Sequence, residues 1–118
     1  MGKKDTRKQF FLAVFNRDKV CRTCRAGWKM SGPKFDAHHI TPRENMPNGG
    51  YVVENGIFLC PDCHLEAERY LKAEHIFDWE IPAVEWPSEQ YSPENLYKLI
   101  GSSYEKAVAA SERLKGDE

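Results

Sequence analysis

The sequence predicts a small α+β fold. It comprises a β-hairpin followed by a helix, pinned at its base by cysteines, between an N-terminal helix and a C-terminal helical extension. Three observations predict it. Four cysteines fall as two C-x-x-C pairs, Cys21/Cys24 and Cys60/Cys63, with 35 residues between the pairs. That intervening stretch alternates short β-prone runs with dense Gly/Pro/Asn turn signals. On either side of it, apolar residues recur at three- and four-residue steps.

Residues 6–19 read as a helix, with Thr6 as its N-cap and Phe10, Phe11, Val14 and Phe15 on one face. The first cysteine pair follows, then a loop through Trp28, Gly32 and Pro33. Residues 34–41 read as a short strand ended by Pro42. Pro47-Asn48-Gly49-Gly50 is a dense turn, and β character resumes over Tyr51–Leu59 around the break at Asn55-Gly56. The second pair leads into a helix over 62–75, with Asp62 near its start and Leu65, Tyr70 and Leu71 available for packing. Residues 76–90, with Trp79, Pro82, Trp86 and Pro87, are acidic and aromatic and have no clean period. Ser92-Pro93 then starts a helix; Leu96, Ile100, Ala107, Ala110 and Leu114 keep helical steps, broken at Gly101. Those positions serve either the core or a partner or dimer surface. Residues 1–75 are expected to form the metal-stabilised core. Residues 76–118 are expected to form a linker and helical extension within the same compact unit.

A C-x-x-C step lets two thiolates from one tight turn meet a single ion, and two such turns complete a tetrahedral site for a structural zinc. Two disulfides are arithmetically possible, but nothing points to an oxidising compartment, and a dithiol redox motif needs only one pair. The gap exceeds the ~15–20 residues of a simple zinc ribbon, so the segment between the pairs is an insertion where function is sought.

Composition excludes several classes. With 41% hydrophobic and 30% charged residues, the chain has the balance of a soluble globular protein, not of a disordered one. No apolar run approaches the ~20 residues of a membrane span. The basic start (Lys3, Lys4) is not followed by an apolar stretch and cleavage site, so a cytoplasmic setting without a secretory signal is expected. Gly2 and Thr6 formally fit a myristoylation pattern, one short enough to recur by chance. The net charge of −1 argues at face value against a nucleic-acid partner. Its distribution argues the other way. Residues 1–45 hold eleven Lys and Arg against four Asp and Glu, a net of +7, while residues 46–118 carry −8. Such asymmetry suits an anionic partner at one end, although solvated faces can also differ in charge.

Three of the four histidines fall in one constellation. His38 and His39 sit in the hairpin's first strand, Asn55 lies on its second side, and His64 directly follows the last cysteine. Adjacent strand residues point to opposite faces, so one histidine can bind a metal while the other addresses a different group.

The runs Cys-x-x-Cys, Asp-Ala-His-His-Ile-Thr-Pro, Gly-Gly and Val-Glu-Asn-Gly-Ile-Phe-Leu-Cys-Pro-Asp-Cys-His closely resemble the pattern of the HNH endonucleases, the ββα-metal nucleases with a treble-clef-like core. The lead-in Arg17-Asp18 also resembles that family, and the likeness spans residues 10 to about 72. It implies catalytic roles for His39, as general base, and for Asn55, which braces the loop and orients that base. It implies His64 as a ligand of a catalytic metal and His38 as the other main ligand, where many members carry aspartate. An imidazole pair suits Zn²⁺, Ni²⁺, Mn²⁺ or Co²⁺ better than Mg²⁺. Glu68, one turn after His64, matches a third ligand found in some members, and otherwise reads as a solvated helix residue. Asp36, two residues before His38 on its side of the strand, is placed to support that ligand.

The expected activity is hydrolysis of DNA phosphodiester bonds, with nicking or double-strand cutting left open. A neutral imidazole is a suitable base at neutral pH, and a divalent ion relieves charge on the phosphate. For docking, the basic half offers Lys3, Lys4, Arg7, Lys8, Arg17, Arg22, Arg25, Lys29 and Lys34, with Arg43 the best candidate beside the cut. No helix with an evident base-reading set stands out. The alternative is a catalytically silent zinc module that binds nucleic acid or protein. Retention of His38, His39, Asn55 and His64 together weighs against it. A phage or bacterial setting is what the resemblance implies.

Overall fold

The two strands of the hairpin, β1 (Asp36–His39) and β2 (Gly56–Leu59), pair antiparallel, with Asp36 opposite Leu59 and His39 opposite Gly56. They belong to a computed structural model that describes residues 3–28, 32, 34–73 and 88–114. Four helices surround them: α1 (Lys3–Asp18), α2 (Pro61–Ala73), α3 (Pro93–Leu99) and α4 (Tyr104–Glu112). None of the described helices is long and apolar enough to cross a membrane.

β2 is buried at all four positions because α1 and α2 both pack on the hairpin. Phe10 and Val14 of α1 meet β2 at Gly56, where a Cβ would lie 2.5 Å from Val14 and 2.7 Å from Phe10. Only a glycine lets the helix come this close. At the end of α1, Lys19 adopts a left-handed conformation (φ 66°), and its amide returns to the Phe15 carbonyl at 2.8 Å. The buried Asp18 carboxylate accepts two bonds from Arg17, at 2.6 and 2.7 Å, and one from the Phe58 amide at 3.0 Å. The bond from the Phe58 amide to Asp18 ties the helix terminus to β2.

The structure revises several boundaries. α1 begins at Lys3, so Thr6 lies inside the helix rather than capping it. The preceding Lys-Lys-Asp run has no helix breaker to stop the first turn there. The first strand covers four residues, not eight. Tyr51–Asn55 is not strand. Pairing begins only at Gly56, after 3₁₀ turns at Arg43–Asn45 and Val53–Asn55 with a left-handed turn over Pro47–Gly50 between them. Asn48, Gly49 and Gly50 all have positive φ (53°, 82° and 66°), which makes the connection an irregular loop instead of a tight hairpin turn. α2 starts at Pro61, which needs no amide partner in the first turn.

The extension divides at Gly101 (φ 69°), and each helix starts on a serine cap: Ser92 accepts from the Asn95 amide and Ser103 from the Lys106 amide. Leu96 and Ala107 are buried in the same core as the hairpin, and Ala110 is buried too, so these apolar steps face inward. Polar ties reinforce this seat. Asn48 donates to the Ser111 and Leu114 carbonyls at 3.0 and 2.9 Å, Ser102 to Glu54 O at 2.9 Å, and Arg22 to Leu99 O. The acidic, aromatic segment with Trp79, Pro82, Trp86 and Pro87 lies outside the described residues, as do residues 74 and 75.

Candidate active site

All four cysteines are free of disulfides, and their sulfurs lie within 4.8 Å of one another. The first turn closes through Cys21 N to Ala26 O at 2.9 Å and Arg25 N to Cys21 O at 2.8 Å, with Arg25 left-handed at φ 70°. The second runs straight into α2, His64 N bonding to Cys60 O at 2.8 Å. Hydroxyls approach the thiols from both sides: Thr23 Oγ1 lies 3.3 Å from Cys21 Sγ, and Tyr91 donates to Cys63 Sγ at 3.4 Å. Burial raises the Cys21 thiol, but the Thr23 hydroxyl and the backbone amides around it outweigh burial and bring its pKa down to about 6. Burial pushes Cys60 up to about 12, aided by the Cys63 and Cys24 thiols and the Cys21 charge. One sulfur built for thiolate among others that resist further negative charge is the chemistry of a donor set completed by a cation. The four cysteines can hold one metal ion.

On one side of β1, His38 is buried (5% exposed), and its ring lies 5.2 Å from that of His64 at the start of α2. His64 Nε2 is 3.1 Å from Glu68 Oε1, one turn along α2. Burial, followed by the charges of His64 and His39, lowers the His38 pKa to about 3, so this imidazole is neutral at ordinary pH. Its Nε2 is buried without a hydrogen-bond partner among the described residues. His38 thus lies beside a His64–Glu68 pair, while the close-set group able to hold an ion among the described residues is the four cysteines.

His39 faces the other way. Its ring stacks on Phe10 (4.5 Å between centroids, 28°) and meets the edge of Tyr51 at 4.8 Å. It lines a cleft of about 340 Å³ together with Arg7, Asp36, Arg43 and Tyr51. Arg43 donates to the Tyr51 hydroxyl at 2.8 Å, and the Arg7 guanidinium also bonds it. Burial and then the Arg43 cation lower the His39 pKa to about 4, against the opposing charges of Asp36 and Glu44. The imidazole is therefore unprotonated at neutral pH, and its Nε2, like that of His38, is buried without a hydrogen-bond partner among the described residues.

Asn55 is fully buried and uses every polar valence of its amide. Its Oδ1 accepts from Thr41 N at 3.0 Å and from the Tyr97 hydroxyl at 2.7 Å. Its Nδ2 donates to Thr41 O at 3.1 Å and Gly50 O at 3.2 Å. Ile40 N also bonds to Asn55 O at 2.9 Å, so the chain just beyond His39 is held on several atoms. Gly50 is essential here, since a Cβ would lie 2.7 Å from Asn55 Nδ2. Arg17 grips the carbonyls on either side, Val53 O and Gly56 O, both at 2.6 Å.

Most sequence-derived site residues therefore converge on β1 and its two faces. Asp36 departs from expectation: as the first strand residue its carboxylate turns onto the Ala37 amide at 2.8 Å, and it lines the cleft of His39 instead of supporting His38. Among the cations, Arg7, Lys8, Arg25 and Arg43 are exposed. Arg17 and Arg22 are committed to Asp18 and to backbone carbonyls, so their charge holds the fold together. Lys29 and the side chains of Lys3 and Lys4 lie outside the described residues. Sequence reasoning missed Tyr51, which sits against His39, and Tyr97, whose hydroxyl reaches Asn55 from 42 residues away. A tyrosine within a turn-rich loop or an apolar helix face gives no local signal of such a partner.

A two-stranded hairpin and a following helix, with four clustered cysteines at their base, make a small α+β arrangement consistent with the ββα-metal fold. Residues 21–70 match the HNH endonuclease family, a family of nucleases that use divalent metals and act on DNA. No curated protein and no solved structure gives a match.

Proposed function

We propose that this chain is a metal-dependent endonuclease that hydrolyses DNA phosphodiester bonds. In this reading His39 is the general base, His38 and His64 with Glu68 are ligands of a catalytic divalent ion, and the four cysteines hold a structural zinc. The observation that carries it is the division of the adjacent histidines. His38 is buried against His64, while His39 opens onto a cleft lined by Arg7 and Arg43.

The chain's own residues supply the rest of the chemistry. Arg7 and Arg43 draw the phosphodiester into the cleft, their charge opposing that of the phosphate. His39, already neutral, takes the proton of the attacking water as the new P–O bond forms. Phe10 and Tyr51 hold the imidazole plane, and Asn55 holds the backbone beyond it. When bound, the divalent ion supplies Lewis-acid relief for charge on the phosphoryl oxygens and the leaving 3′-oxygen.

Incubation of zinc-loaded protein with supercoiled plasmid and Mn²⁺, Ni²⁺, Co²⁺, Zn²⁺ or Mg²⁺ should give nicked or linear DNA, and EDTA should abolish it. A folded, zinc-loaded His39→Ala variant should cut at least ~10²-fold more slowly, the usual worth of a general base. Wild-type rates in that variant would remove His39 from the role. Absence of cleavage with every metal would favour a zinc-stabilised binding module.

A further inference from the structure

We infer that Tyr97, in α3 and outside residues 21–70, is a positioning residue for the proposed nuclease site, so that the C-terminal extension completes that site. The inference rests on the reading of His39 and Asn55 as its working residues. Tyr97 is 4% exposed, and its hydroxyl lies 2.7 Å from both Asn55 Oδ1 and Thr41 Oγ1.

Proton accounting gives these contacts a direction. Asn55 Nδ2 is committed to two carbonyls and its Oδ1 to the Thr41 amide, so the remaining approach to Oδ1 must come from a donor. Tyr97 therefore donates its single proton to Asn55, and its oxygen accepts from the Thr41 hydroxyl. Burial raises the phenol to about 12 against the Thr41 hydrogen bond, which keeps that proton in place. The result is a closed ring of bonds through Tyr97, Asn55 and Thr41. Thr41 is two residues past His39, and Ile40 between them bonds to Asn55 O. A loosened Asn55 frees this stretch, and with it the angle at which His39 meets the cleft. The second tie of the extension nearby, Ser102 Oγ to Glu54 O, holds only a backbone carbonyl of the 3₁₀ turn.

The test is Tyr97→Phe, which keeps the ring and removes the hydroxyl, with Ser102→Ala as a control in the same extension. With zinc-loaded protein, Mn²⁺ and a defined duplex, Tyr97→Phe should lose about tenfold in kcat, the worth of one to two hydrogen bonds, while KM stays within about twofold. Ser102→Ala should leave kcat unchanged. In amide-resolved NMR, Tyr97→Phe should shift the Thr41 backbone and Asn55 side-chain amide signals and speed exchange at Thr41. A purely packing role predicts unchanged kcat and unchanged signals, and that result overturns the inference. An equal loss of kcat in Ser102→Ala overturns it too, because any tie of the extension would then serve. One measurement needs no variant: the wild-type Tyr97 hydroxyl proton should exchange slowly and show a cross-relaxation contact to the Asn55 amide, and its absence overturns the inference. If wild-type protein cuts no DNA, the nuclease reading fails by itself, while the NMR results still decide whether Tyr97 holds Asn55.

Discussion

Asn55 has no solvent to fall back on. Its amide serves one backbone N–H, two backbone carbonyls and one phenol; removing it leaves the three backbone groups without this partner and costs the Tyr97 hydroxyl one of its two bonds. Asn55→Ala should therefore destabilise the protein by about 3 kcal/mol, since a buried group left without its partner costs roughly 1–3 kcal/mol and these losses overlap. Urea unfolding of the zinc-loaded variant, compared at equal m-value, measures it. The same residue shows how far a sequence can be read at this scale. Its place in the motif is what predicts it as a brace beside the proposed general base. The identity of the braced groups, Thr41, Gly50 and Tyr97, follows from how the chain folds back on itself.

At the scale of elements, the seam between α1 and β2 governs both stability and the cleft. Gly56 stands where Phe10 and Val14 reach the strand, and Phe10 is also the ring on which His39 stacks. Gly56→Ala should cost about 1–3 kcal/mol through overpacking, read by thermal or urea unfolding. DNA cleavage should fall with it, because the nearest atoms to move belong to Phe10. Element existence is legible from apolar spacing: α1, α2 and helical structure after Ser92, as one or two helices, are all expected, and the structure divides the last into α3 and α4. The edges of these elements are less legible. Tyr51–Val53 look β-prone, yet the left-handed turns at Asn48–Gly50 deliver this stretch to β2 out of pairing register, and it closes as a 3₁₀ turn.

For the whole molecule, the four cysteines join segments 35 residues apart at a point where the hairpin, α2 and, through Tyr91, the extension all meet. A site of this kind contributes its binding free energy to folding. Stripping the metal with a strong chelator, or substituting Cys60→Ser, should abolish cooperative unfolding and near-ultraviolet dichroism, and Zn²⁺ should restore both in the chelated wild type only. Retention of native dichroism without metal would show that the core stands without it. The net charge of −1 likewise acquires a spatial meaning: two cations of the basic half, Arg7 and Arg43, line the cleft of His39.

The sequence by itself determined which chemistry-bearing side chains this protein carries and how they are spaced. Thiol pairs at chelating spacing, adjacent histidines on a strand and a histidine following a cysteine are local patterns, and backbone geometry alone sends their side chains to defined sides. Only the tertiary structure decided which groups support that chemistry. Arg17 and Arg22 are spent on carbonyls and on Asp18, Tyr51 steadies His39, and Tyr97 closes the bonds around Asn55 from outside the motif. The physical reason is that a hydrogen bond has no period along the chain. Its partners are chosen where distant segments pack, and a tyrosine or arginine carries no mark of its partner until they do.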